Sequence, residues 1–495
     1  MDASFDAAMF ENLQTQLVGM WPAMTLRRRD AHRTIVVLSS VSMNLPVELH
    51  PLLPAYEERY LIYVLSLASS PNTRVVYVTS QPILPRLLDY YLGLIPGLDR
   101  AEMLARVATV SVGDWSARPL TEKILERPAL IERLRALIGD PSHAVIMPFV
   151  TTPLEARLST LLGIPVYGPH PHLQPLGTKT GSRQLFAEVG IDHPRGAEGL
   201  RDVGDMVDAI DALQRDRSVD EVIAKCDASV SGLGNAAIDM KGADTSAEIE
   251  KRIRSLRPED DALDADAFLQ LFATSGGIIE ERITGEDFCS PSVQLRASPE
   301  GGVEVLSTHD QILGGATGQT YFGCRFPARP AYAAQISSAA RKVGEELSRR
   351  GAIARFAVDF VAVRRAGAWH TYAVEINLRN GGTTHPTLTL LALTEGDYDE
   401  GSAQFSVDGV EKHYVATDHL ETPHLRRLTP DDVLDIADSP RLRWDAGAKT
   451  GPVFHLLSAV GVGGRVGVTA IANSPTEAES VYRDVEHALS TAAGG

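Results

Sequence analysis

Two kinds of apolar patterning divide the chain. In its first third the apolar residues come in short unbroken runs, at 34–38, 74–78, 145–148 and 164–168, separated by helical segments that include one over 153–162. Unbroken runs of this length suit parallel strands covered on both faces, so the pattern predicts an α/β unit extending to residue 171. None of these strands leads into a GxGxxG turn, which removes the dinucleotide-binding version of such a unit.

From 172 the pattern changes to hairpins and isolated helices. Helices are predicted over 179–189 and 203–214, then a strand at 221–226, a glycine-bearing loop at 229–235 and a second strand at 236–240. The acidic stretch 258–266 reads as a solvated helix or loop, and strands resume at 277–283. The segment 420–495 reads as a separate small α+β unit, with strands at 453–457 and 466–471 joined by a glycine turn at 461–464. Ser474-Pro475-Thr476-Glu477 opens its terminal helix as a capping box with proline at the first helical position. The expected division is 1–171, 172–419 and 420–495, a multidomain chain of α/β and α+β class.

Charge and composition narrow what such a chain can do. A net charge of −17 over 495 residues argues against a sequence-independent grip on nucleic acid, and few aromatic residues argue against a base-stacking platform. The dense basic run Arg27-Arg28-Arg29 is followed at once by Asp30 and reads as solvated surface. Three cysteines with no CxxC pair make no disulfide framework. Asp2, Asp6 and Glu11 stand where a signal peptide needs basic residues, and the most apolar stretch, 61–68, is too short to span a bilayer. The expected compartment is the cytoplasm.

Lysine is scarce: eight of the 47 basic residues. Against that background Lys225, inside an apolar strand, asks for a partner, because an unpaired buried ammonium is costly. A compact ammonium with rotatable donors suits a phosphate reached from a buried position.

The segment 356–377 adds acids. Strands at 358–363 and 372–377 flank Arg365-Ala366-Gly367-Ala368, and an antiparallel pairing symmetric about Gly367 sets Asp359 opposite Glu375. Opposed carboxylates repel at such a spacing, and Asn377 falls on the face of Glu375. Two carboxylates and an amide oxygen on one surface make a site for a hard cation; a surface hairpin with solvated acids, or one acid kept protonated, is the plainer alternative. Arg379 follows on the same alternating face, as counter-ion to the acids or as a holder of a carboxylate or oxyanion.

Glu375-Ile376-Asn377-Leu378-Arg379 followed by Gly381-Gly382 resembles the E-x-N-x-R signature of ATP-grasp ligases, and the whole chain is similar in layout to pheganomycin-type peptide ligases. That resemblance implies a pre-ATP-grasp α/β domain, an ATP-grasp fold and a small C-terminal domain. It further implies ATP and Mg²⁺, with two ions, as cofactors. Lys179 and Lys225 would be the nucleotide-binding lysines. The loop 229–235, with Ser231, Gly232 and Gly234, would cover the triphosphate. Glu280, Glu281, Arg282 and Ile283 would line adenine, with Asp287 on the ribose. Asp359, Glu375 and Asn377 would hold metal, and Arg379 and Lys225 would serve catalysis. Two departures are visible: Asp287 stands where many members carry Glu, and Ala357 where many carry Arg.

Each residue has a plainer reading: Lys179 as an ordinary first-turn residue, Gly232-Leu233-Gly234 as a simple turn. His309 and the loop 314–321 are left between a substrate role and a structural one, His385 and Arg325 between the reaction centre and structure, and His455, inside an apolar strand, reads as a core histidine. The function implied is ATP-dependent amide bond formation through an acyl phosphate, releasing ADP and phosphate. The expected partners are a small-molecule carboxylate and an amino-acid or peptide amine, with a homodimer and without nucleic acid or membrane. A small-metabolite dipeptide ligase and a non-catalytic ATP-binding regulator are the alternatives.

Overall fold

The computed structural model describes residues 4–24, 32–43, 45–227, 229 and 232–494. Arg27-Arg28-Arg29, Asp30, Asp2 and Ser231 lie outside the described residues. The four-stranded N-terminal sheet is parallel throughout, in the order Val107–Ser111, Thr73–Thr79, Arg33–Leu38, Ala144–Pro148. Its unbroken apolar runs have the expected cause. Val36, Leu38, Val76 and Val78 face one core, with Ile131 and Leu134 of the helix Pro128–Ile138 and Leu158 and Leu162 of the helix Pro153–Leu162. Ile35, Val37, Val75 and Tyr77 face another, with Tyr60–Leu67 of the 3₁₀ segment Arg59–Ser69.

The run expected as a fifth strand at 164–168 reduces to a single bridge between Ile146 and Val166. Pro165 has no N–H to give a ladder, and the chain turns at Gly168, where a Cβ would lie 2.1 Å from Thr151 Oγ1.

A five-stranded antiparallel sheet follows, ordered Gly196–Leu200, Gly277–Glu281, Glu221–Cys226, Asn235–Asp239, Arg257–Pro258. The helices Val203–Asp216, Ser246–Ile253 and Ala265–Ser275 cover one face of it. The acidic stretch expected to be solvated is not uniformly so: Glu259 is 3% exposed, fixed by hydrogen bonds to a distant hairpin.

The third sheet has nine strands and carries the long hairpin Ala354–Arg365 and Ala368–Asn377. It runs on through Pro291–Ala297, Val303–Gly314, Thr320–Phe326, His413–Glu421, Arg465–Ala472 and Gly451–His455. The strands of 420–495 therefore extend the central sheet and form no sheet of their own. A short helix, Ala459–Gly463, lies in the connection where a glycine turn is expected. Ser474 caps the terminal helix Pro475–Ala492 by accepting from Glu477 N–H, while Glu477 reaches back to the N–H of Asn473, so the reciprocal half of the box is displaced by one residue. One core runs from Ile35 through Phe326, Tyr414, Phe454 and Val466 to Leu489, uniting the first and last parts of the chain. Among the described residues no helix is long and apolar enough to cross a membrane.

Candidate active site

A cavity of about 580 Å³ is lined by residues of the five-stranded and nine-stranded sheets and by loops of the N-terminal unit. Its floor is the long hairpin, and the register there is the one that matters. The tight turn Ala366-Gly367, with φ of 49° and 79°, pairs Arg365 with Ala368, one position off a pairing symmetric about Gly367. A bulge at Val374 then adds one residue and sets Asp359 opposite Glu375 and Ala357 opposite Asn377. The bulge also divides the faces. Ala373, paired with Phe360, is buried in the core, while Val374, Glu375 and Asn377 line the cavity with Ala357, Asp359 and Val361.

The two acids are held differently. Glu375 pairs with Lys179, the first residue of the helix Lys179–Glu188. Thr178 caps that helix by accepting from Gly181 N–H at 3.0 Å, and a Cβ at Gly181 would lie 1.9 Å from Pro175 O, so glycine permits the entry. Burial opposes the charge on Glu375, but Lys179, Arg379 and Lys225 more than offset it and hold its carboxyl below the usual value. Among the described residues no lysine or arginine pairs with Asp359. Burial, then the neighbouring Glu375, push its carboxyl up to about 6, though nearby Lys179 pulls it down. Asn377 donates its Nδ2 to Asp359 Oδ2 at 2.9 Å, a bond that leaves the amide oxygen as an acceptor.

Lys225 reaches the same cavity from the small sheet. It is 8% exposed and pairs with Glu280 on the adjacent strand, which Arg183 also approaches at 3.6 Å. Neither lysine behaves as a surface residue. Glu281 gives its carboxylate to Arg195 at 2.8 Å and Arg217 at 3.1 Å, and Arg282 pairs with Glu221 at 2.9 Å. With Ile283 these residues still line the cavity. Gly232 lines it too, and so does Arg379, which stands over the Phe149 ring.

Not every expected residue arrives. Asp287 is absent from the lining; its half-exposed carboxylate pairs with Arg364 at 2.8 Å. Gly234 is also absent, and a Cβ there would lie 2.2 Å from the side chain of Ser229. His309 is buried, bonded to Tyr414 at 2.6 Å and pushed down to about 3 by burial, so it is a neutral core group. His385 and His455 are buried with ring centroids 4.1 Å apart, and Arg325 pairs with Glu479 on the surface. Thr317, Gly318, Gln319 and Tyr321 of the loop 314–321 do line the cavity.

Sequence reasoning missed the N-terminal contribution. Val41, Met43, Leu45, Leu49, Tyr56 and Arg59 also line the cavity, and Arg59 pairs with Asp418 at 3.1 Å, both buried. The charged run Glu57-Glu58-Arg59 beside the most apolar stretch of the chain was the available signal. The loops after the strands Arg33–Leu38 and Ala144–Pro148 supply Val41 and Phe149. The crevice outside the carboxyl ends of parallel strands is where open α/β sheets bind ligands.

Among the described residues no group of three His, Cys, Asp or Glu side chains is set to hold a metal ion. The set at 359, 375 and 377 is two carboxylates and an amide, which fits a hard cation that takes its remaining ligands from phosphate and water. Glu375 already carries Lys179, while Asp359, whose carboxyl burial and Glu375 push up to about 6, stands without a paired cation among the described residues.

A model described as "Pre ATP-grasp domain" matches residues 57–164, and one described as "IQCH-like, ATP-grasp" matches residues 263–400. The chain is 31% identical over 447 residues to L-propargylglycine–L-glutamate ligase of Streptantibioticus cattleyicolor, covering 89% of this chain and 90% of that protein. It is 22% identical over 442 residues to IQ motif-containing protein H of Danio rerio, covering 78% of this chain and 42% of that protein. The biotin carboxylase domain of Hydrogenobacter thermophilus 2-oxoglutarate carboxylase, solved with MgADP, shares the fold with a TM-score of 0.55 at 15% identity, over 92% of this chain and 89% of that one. N5-carboxyaminoimidazole synthase of Aspergillus clavatus, solved with ADP, does so with a TM-score of 0.53 at 11% identity, over 93% of this chain and 99% of that one. The chain belongs to the ATP-grasp ligases, enzymes that form carbon–nitrogen bonds, with a pre-ATP-grasp domain ahead of the grasp.

Proposed function

We propose that this ligase phosphorylates a carboxylate with ATP and passes the acyl group to an amino acid or peptide amine. The observation that carries it is the pairing of Asp359 with Glu375 in the cavity that Lys179 and Lys225 also enter. Lys225 and Lys179 would meet phosphate oxygens, exchanging Glu280 and Glu375 for the nucleotide. Residues 280–283 would line the base, with Gly232 over the phosphates; Asp287, paired with Arg364, could reach the ribose only by leaving that partner.

Asp359, Glu375 and Asn377 would hold Mg²⁺, two ions in our reading, which when bound neutralises the phosphate charge. The carboxylate oxygen attacks the γ-phosphorus and the bond to ADP breaks. Arg379 holds the acyl phosphate by its planar fork. The amine then attacks the acyl carbon, phosphate leaves and one proton is released, giving the amide. Val41, Met43, Leu45, Leu49 and Tyr56 offer the organic substrates an apolar surface in the same cavity.

A relative named for joining L-propargylglycine to L-glutamate supports an amino acid on each side of the new bond. In functional terms, 172–419 supplies the nucleotide and metal residues, 1–171 the substrate wall, and 420–495 the support behind it. A cytoplasmic homodimer completes this reading, and light scattering of the purified chain tests the dimer.

The deciding assay incubates the protein with ATP, Mg²⁺ and a panel of amino acids and peptides, following nucleotide products and product mass. ADP, phosphate and an amide are expected, and chelation of Mg²⁺ is expected to stop all three. AMP with pyrophosphate, or nucleotide binding without turnover on any substrate, would overturn the proposal.

A further inference from the structure

Glu259 is a buried carboxylate with no basic partner among the described residues. It follows the edge strand Arg257–Pro258 of the small sheet, and its own N–H is bonded to Asn235 O at 2.9 Å. Oε2 accepts from Thr317 N–H at 2.6 Å and from the Thr317 hydroxyl. Oε1 accepts from the Thr320 hydroxyl at 2.7 Å, Thr320 N–H at 3.2 Å and Gln319 N–H at 3.3 Å. All five donors belong to the tip of the hairpin Val303–Gly314 and Thr320–Phe326 in the large sheet, so one side chain ties two sheets together.

That tip is a wall of the cavity. Thr317, Gly318 and Gln319 line it, while Glu259 stands behind them and does not. The contact continues forward to the glycine loop: Asn235 Nδ2 donates to Gln319 Oε1 at 2.9 Å, and a Cβ at Gly232 would lie 2.4 Å from Gln319 O.

We propose that Glu259 is a positioning residue for ligation, holding the 317–320 tip against the small sheet so that the cavity stays shut while the acyl phosphate exists. This rests on the ligase reading above. A carboxylate can accept from all five donors because both its oxygens are acceptors and its charge strengthens each bond. A carboxamide cannot: whichever way it is turned, its NH₂ meets N–H and O–H donors. With the tip released, water competes with the amine for the activated acyl group, so the damage appears in the partition of ATP between amide and hydrolysis.

The test compares wild type, Glu259→Gln and the Thr317→Val/Thr320→Val double variant, which removes donors from the other side. Measured are ADP released per amide formed, KM for ATP, the thermal midpoint, and hydrogen exchange of 314–321 with MgADP present. Expected in both variants are several ADP per amide, a KM for ATP raised roughly tenfold, and faster exchange at the tip. One ADP per amide and an unchanged KM, or a uniform fall in kcat that follows the melting temperature alone, would overturn the proposal. If wild type forms no amide from any substrate, the ligase reading fails and exchange decides the tie by itself: equal protection in all three proteins ends it.

Discussion

Lys225, Asp359 and Glu375 are legible one by one because each is a charge where the local pattern calls for an apolar residue, and burying charge requires a partner; Lys179, in the polar run 177–182, is named only through the family resemblance. The structure pairs Lys179 with Glu375 and Lys225 with Glu280 inside one cavity, and gives Asp359 the Asn377 amide. The acids differ in a useful way, since Glu375 is held ionised by three cations while Asp359 is pushed up to about 6 by burial and by Glu375. Glu375→Gln is expected to abolish ADP and amide formation while leaving the circular dichroism spectrum unchanged; full activity at ordinary Mg²⁺ would remove the metal assignment. Lys225→Met is expected to weaken ATP binding by about 1.5–3 kcal/mol, the worth of a hydrogen bond to a charged group, measured by calorimetry. An unchanged affinity would take Lys225 away from the phosphates. Asp287 shows the limit of reading one residue at a time: its identity suits a ribose, yet Arg364 is a nearer partner.

Among elements, the long hairpin is the clearest. Symmetric pairing about Gly367 names the right opposed acids, though for an incomplete reason: the turn is centred one step earlier in the pairing, and the bulge at Val374 restores the count. Strict alternation would place Ala373 and Glu375 on one face, and the bulge instead sends Ala373 to the core and Glu375 to the cavity. Apolar pattern alone does not show a bulge, because it arises from how the strand packs on both sides. The glycine loop gives a sharper test. Gly232 has φ of +82° and would place a Cβ 2.4 Å from Gln319 O, so Gly232→Ala adds both backbone strain and a clash. The expected result is a loss of at least about tenfold in kcat/KM for ATP with little change in melting temperature. Wild-type kinetics in that variant would show that the loop does not close on the hairpin tip.

Taken whole, the chain joins its ends. Glu58, in the N-terminal part, accepts from Leu457 N–H at 2.8 Å in the C-terminal part. Burial pushes its carboxyl up to about 8, against the pull of that bond and of Ser458 N–H. The folded chain keeps this proton to a higher pH than the unfolded chain does. Its stabilising contribution is therefore complete below the unfolded carboxylate range and is lost as pH rises through about 8. Urea midpoints measured from about pH 5 to about pH 9 are expected to fall with rising pH, and Glu58→Gln is expected to flatten that fall. Equal slopes in the two proteins would show that Glu58 does not carry the effect.

By itself the sequence determined the parallel N-terminal sheet, the lysine strand, the opposed acids and the order in which they occur. These follow from local periodicity and from the cost of placing charge among apolar neighbours, both of which a linear chain displays. Only the tertiary structure decided that Arg59 meets Asp418 across 359 positions, that Glu259 is buried against a hairpin tip, and that the last strands extend the central sheet. Such contacts join residues with no shared local pattern. They are fixed by which surfaces remain to be covered once each sheet has formed, and that is a property of the packed molecule.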